Sequence, residues 1–106
     1  MTDSAVTQLT EGTLVLSLRG DLDLATVTTI EPVLEETRWK EVSTLVLDMT
    51  EVTFVDSSGL RLILGARRRA DEAGARFAMR NVPAQARRLL SITGVSELLN
   101  VEPDEG

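Results

Sequence analysis

The segment Asp56-Ser57-Ser58-Gly59-Leu60 places an acid, two adjacent hydroxyls and a glycine where a strand-like run, Val52–Val55, gives way to an amphipathic helical pattern. A helix N-terminus presents unpaired backbone N–H groups and a partial positive charge. Ser57 or Ser58 therefore reads as a helix cap, a favoured use of serine. The sharper alternative is that one of the two accepts a phosphoryl group and the helix end helps to hold the dianion. Phosphorylation adds roughly −1.5 to −2 charges at pH 7. The new charge would sit beside Asp56 and, at the same sheet edge, the acidic loop Asp21-Leu22-Asp23. Asp56 reads either as a guide for that phosphorylation or as a turn carboxylate, and Asp21 and Asp23 either as a partner edge or as a solvated loop. The chain has no P-loop, so a separate kinase must deliver the phosphate.

The residues that are missing narrow the chemistry further. The chain has no cysteine, histidine or tyrosine. Neither a Ser-His-Asp nor a Cys-His nucleophilic site can be assembled, and a Cys/His zinc site is excluded. Ser57 as an enzyme nucleophile would lack a histidine base, so no enzyme is expected. A metal site would have to be all carboxylate, and no calcium-loop spacing occurs, so neither metal nor cofactor is expected. The lack of disulfides fits a reducing compartment. The N-terminus does not read as a signal peptide, and no stretch approaches the ~18 apolar residues of a membrane span. These features predict a cytoplasmic protein with no membrane insertion.

Hydrophobic residues make up 42% of the chain and charged ones 26%, but aromatics only 3% (Trp39, Phe54 and Phe77), so Leu, Val, Ile, Ala and Met must build the core. The net charge of −6 argues against nucleic acid as a partner. The charge is uneven. Residues 1–60 carry three basic and eleven acidic groups, residues 61–88 carry eight arginines against Asp71 and Glu72, and residues 89–106 carry four acids and no base. Such blocks mark either partner surfaces or solvated helix faces.

These side chains need a scaffold, and its elements can be read from periodicity. Ala5–Leu9 and Leu14–Arg19 flank the turn Thr10–Thr13 as a hairpin, and Gly20 is expected to break the second strand. Val27, Ile30, Val33, Leu34 and Thr37 fall at helical spacing. Pro32 leaves two possibilities: a helix capped by Thr28 or Thr29 with the proline in its first turn, or a kinked helix starting near Leu24. Thr44–Met49 is a strand, followed by the short apolar approach Val52–Val55. The next helix runs to about Ala73 with Leu60, Ile63, Leu64, Arg67, Ala70 and Ala73 or Gly74 along one stripe, and Gly74 stops it. Arg76–Arg80 is a strand, a short helix opens at Pro83 and ends at Gly94, and Leu98–Val101 is a last strand before a tail at 102–106. Trp39 is expected to cover one end of the core. Strands alternating with helices predict one α/β domain, mainly parallel, over residues 1–106 with an ordered core of about 5–101.

Four pieces in order carry a family resemblance: Arg19-Gly20-Asp21-Leu22-Asp23, Leu45-Val46-Leu47-Asp48, Val55-Asp56-Ser57-Ser58-Gly59-Leu60 and Ser91-Ile92-Thr93-Gly94-Val95. From about Val6 to Val101 the chain resembles a STAS domain, and within that family a bacterial anti-sigma factor antagonist. The resemblance implies a mixed sheet of four to five strands with helices mainly on one side. It implies that the unmodified protein, a monomer, binds an anti-sigma factor that is a serine kinase and so frees a sigma factor. The kinase would phosphorylate Ser57, ending productive binding, and a PP2C-type serine phosphatase would reset it. The expected partner surface comprises Asp21, Asp23, Asp56, Ser58, Gly59 and Leu60, with Arg61 added on its own chemistry as a cation that could meet a phosphate or a partner carboxylate. An alternative role within the family is a structural subunit of a stress-signalling assembly or a lipid-transport complex. Two departures stand out: Arg61 occupies a position where many relatives have glycine, and the chain stops at Gly106 where relatives often continue into another helix.

Overall fold

The computed structural model describes residues 4–93. Strands β1 (Ala5–Thr10) and β2 (Thr13–Leu22) form the expected hairpin, turned at Glu11 and Gly12, both with positive φ. Helix α1 (Leu24–Glu36) and a short 3-10 turn (Trp39–Glu41) lead into β3 (Thr44–Val55). Helix α2 (Ser57–Glu72), β4 (Arg76–Arg80) and α3 (Ala84–Thr93) complete the described fold. The sheet order is β1-β2-β3-β4, with β1 antiparallel to β2 and the other pairs parallel. The expected strand at Leu98–Val101 and the helix stop at Gly94 lie outside the described residues.

One sheet face carries Leu14, Leu16 and Leu18 from β2, Leu45, Leu47 and Met49 from β3, and Phe77 and Met79 from β4. Val27, Ile30 and Leu34 of α1, Leu62, Ile63, Ala66 and Ala70 of α2, and Ala86 and Leu90 of α3 close on it in one cluster. Trp39 is half-buried against that cluster and donates its indole N–H to the Leu34 carbonyl at 3.1 Å.

Three local readings are corrected. Gly20 does not break β2: the strand runs on to Leu22, with Gly20 at φ +74° between two shifts in the β2–β3 register. At each shift β3 contributes one extra residue. Met49, Val52 and Val55 are three apart yet all buried, because each bulge restores the inward face. What reads as a strand plus an apolar approach is therefore one 12-residue strand.

Helix α1 starts at Leu24, the second of the two possibilities, with Pro32 inside it on the exposed side. In α2, Gly59, Leu62, Ile63, Ala66 and Ala70 are buried, whereas the expected stripe members Leu60, Leu64 and Arg67 are half-buried and Ala73 and Gly74 are exposed. Gly59, Ala66 and Ala70 let the helix lie close to the sheet, and Leu62 and Ile63 fill the core beside them. Arg67 pairs with Asp71 at 3.5 Å, one turn on.

Candidate functional site

The parallel strands β2 and β3 end side by side, Leu22 opposite Val55, and each feeds directly into a helix. An aspartate caps each helix. Asp23 caps α1: its carboxylate accepts from the Thr26 N–H at 3.1 Å, and the Thr26 hydroxyl accepts from the Asp23 N–H at 3.0 Å. The Thr26 N–H, against desolvation, holds the Asp23 carboxyl below its usual 3.8. Asp21, just upstream, accepts a hydrogen bond from the Thr53 hydroxyl at 2.6 Å across the strand pair. The Thr26 hydroxyl donates to the Asp21 carbonyl at 2.6 Å.

Asp56 caps α2, and this overturns the assignment of that role to Ser57 or Ser58. Its Oδ1 accepts from the Ser58 N–H at 2.8 Å and the Gly59 N–H at 3.1 Å. The residue before the two serines has the extended backbone of an N-cap, so Ser57 becomes the first helical residue. Ser57 is exposed, and its hydroxyl makes no hydrogen bond to the described residues. Ser58 is half-buried. Replacing Asp56 by alanine is expected to cost about 1 kcal/mol of stability in urea unfolding. Ser58→Ala is expected to stay within ~0.5 kcal/mol of the parent, because its side chain does not cap the helix.

Gly59 is buried and brings the start of α2 close against both strand ends. A Cβ there would lie 2.5 Å from the Leu22 carbonyl oxygen, 2.7 Å from the Leu22 Cβ and 2.9 Å from a Val55 methyl. The same Leu22 carbonyl accepts the Asp56 N–H at 3.2 Å. These contacts join the end of β2, which carries Asp21 and leads to Asp23, to the start of α2; the sequence reads Asp21–Asp23 as a loop, but Asp21 and Leu22 lie in β2 and Asp23 caps α1.

Leu60 packs half-buried against the core. Arg61, one turn on from Ser57, is exposed and forms no ion pair with the described residues. Two exposed apolar side chains, Leu24 at 66% and Phe54 at 45%, belong to the same strand ends. Neither stood out in the sequence as a site residue, since a lone apolar residue near a turn reads as core. Gln85 was also missed: from the first turn of α3 its carboxamide bonds both main-chain polar groups of Val55. An amide thirty positions away leaves no periodic or spacing signal. No group of three or more carboxylates suited to a metal occurs among the described residues.

A STAS domain family model matches residues 4–106. The anti-sigma-B factor antagonist of Listeria monocytogenes is 30% identical over 87 residues, covering 82% of this chain and 76% of that protein. Among solved structures, the anti-sigma factor antagonist SpoIIAA in its unphosphorylated form matches with a TM-score of 0.78 at 24% identity, over 95% of this chain and 90% of that one. The Bacillus SpoIIAA in its phosphorylated form matches with a TM-score of 0.73, also at 24% identity, over 95% of this chain and 93% of that one. Both structural matches show the shared fold.

Proposed function

Since the chain belongs to the STAS domain family, we propose that it works as an anti-sigma factor antagonist, a regulatory binding protein rather than an enzyme. The unphosphorylated form binds an anti-sigma factor that is itself a serine kinase, and so releases a sigma factor. The kinase phosphorylates Ser57, the complex is lost, and a PP2C-type phosphatase restores the binding form. The observation that carries this reading is the exposed Ser57 hydroxyl, unbonded among the described residues, on a helix start that Asp56 already caps. A serine that serves as the cap has its oxygen occupied by the helix, whereas this one is free to meet a kinase. The name of the Listeria relative and the two SpoIIAA forms support the same role.

The partner surface spans the two strand ends. Asp21, Asp23 and Asp56 supply an acidic rim, Ser58 and Leu60 shape the helix start, Arg61 supplies a cation, and Leu24 and Phe54 supply apolar contact. Gly59 contributes by letting the start of α2 lie close against the two strand ends. Apolar anchors within a polar rim are the usual anatomy of a specific interface. In this reading the protein is a cytoplasmic monomer that contacts neither nucleic acid nor membrane. No helix among the described residues is long and apolar enough to cross a membrane.

The direct test incubates the purified chain with ATP and candidate anti-sigma kinases, then measures intact mass and maps the modified residue. One phosphate on Ser57 is expected, together with loss of the complex on a sizing column. Mapping of the phosphate to Ser58 or elsewhere would move the switch away from the helix start.

A further inference from the structure

Strand β4 pairs with β3 only from Thr44 to Asp48, yet β3 continues to Val55. Along that extension no described strand lies on the β4 side of β3. Gln85 fills the place of a strand at its end. Its Oε1 accepts the Val55 N–H at 2.9 Å and its Nε2 donates to the Val55 carbonyl at 2.9 Å. One carboxamide thus satisfies both polar groups of a single residue, as a neighbouring strand would. On the opposite side the next residue, Asp56, donates its N–H to the Leu22 carbonyl. The two residues before Ser57 are therefore fixed from both edges, by α3 on one side and by β2 on the other.

The geometry points to Gln85 as a positioning residue for the phosphorylation of Ser57, an inference that rests on Ser57 being the phosphoacceptor. Phosphoryl transfer depends on holding the attacking hydroxyl in line with the phosphate, and small displacements are costly. Gln85 never meets the phosphate. It sets where the main chain leaves the sheet, and hence where the Ser57 hydroxyl stands when the kinase docks on the strand ends. Half-buried Gln85 bonds beneath the buried side chain of Val55, where an unmade hydrogen bond is not readily replaced by water.

The test compares the full chain with Gln85→Ala and Gln85→Glu, using amide exchange by NMR and steady-state kinetics with ATP and the kinase identified by mass mapping. In Gln85→Ala the Val55 amide is expected to exchange about tenfold faster. Its kcat/KM for Ser57 is expected to fall about tenfold, with the loss in kcat and KM nearly unchanged. Glutamate keeps an acceptor for the Val55 N–H but loses the donor for its carbonyl, so Gln85→Glu should restore much of the Val55 protection and only part of kcat. A purely structural role would instead speed exchange throughout β3 and α3 without separating kcat from KM. Unchanged Val55 exchange in Gln85→Ala, or phosphorylation at the parental kcat, overturns the inference. If the parent chain takes no phosphate on Ser57, the phosphoacceptor reading falls, and Val55 exchange alone decides whether Gln85 positions the segment.

Discussion

Ser57→Ala is expected to bind the anti-sigma factor constitutively and take up no phosphate, while Ser57→Asp binds about a hundredfold more weakly, a loss of about 3 kcal/mol. The two variants separate charge from folding because of where Ser57 stands. Its hydroxyl is exposed and unbonded among the described residues, so alanine removes no hydrogen bond there, and alanine is the best helix former. Aspartate at the first helical position suits the helix dipole, so Ser57→Asp should be at least as stable as the parent. A weakened complex then reports the interface and not the fold.

The added charge joins an edge that already holds Asp21, Asp23 and Asp56. A partner that docks there must strip water from one more anion and meet it at close range. Arg61, one turn along and without an ion pair among the described residues, offsets part of the charge within the chain, so the penalty falls on association. Aspartate carries one charge where phosphate carries roughly −1.5 to −2, so the true phosphoprotein should bind more weakly still. Calorimetric titration of the anti-sigma factor with each variant checks the series. Equal affinity of Ser57→Asp and the parent would sink the charge-based switch.

The site was legible in the sequence to the extent that its signals were local. The Asp-Ser-Ser-Gly run announced a helix start, and the acids at 21 and 23 fell at the matching end of the preceding strand. The choice of cap was not legible, because Asp and Ser are nearly equal N-cap residues and stand side by side here. Asp56 prevails through two N–H bonds at once, and that inverts the role of Ser57. The strand alternation stopped being readable at Thr50 because two bulges in β3 shift the period there. Gln85 was invisible because its partner lies thirty residues upstream and presents main-chain atoms, which no side-chain pattern records.

The buried stripe of α2 was misread for a related reason. Large apolar residues dominate any periodicity count, whereas the buried face of α2 also takes the small Gly59 and Ala66, which such a count passes over. Gly59→Ala is the substitution that tests this most severely. Its methyl would sit 2.5 Å from the Leu22 carbonyl oxygen and 2.7 Å from the Leu22 Cβ. That carbonyl is engaged by the Asp56 N–H, so it cannot rotate aside without giving up the bond. The helix must retreat from the sheet instead, which pulls on the Asp56 cap and on the end of β2, between Asp21 and Asp23. Overpacking of this kind costs about 3 kcal/mol at the upper end of its usual range. At roughly 4–8 °C per kcal/mol for a domain of this size, the Tm should fall by more than ~10 °C.

Gly65→Ala, two turns along the same helix, is the matched control. A Cβ there meets nothing within 4 Å, so the substitution should stabilise the chain by up to ~1 kcal/mol through helix propensity alone. Opposite shifts from the same chemical change on one helix can only come from what each methyl meets. A Gly59→Ala variant that melts within ~2 °C of the parent would mean that the contact with Leu22 does not hold the two strand ends together.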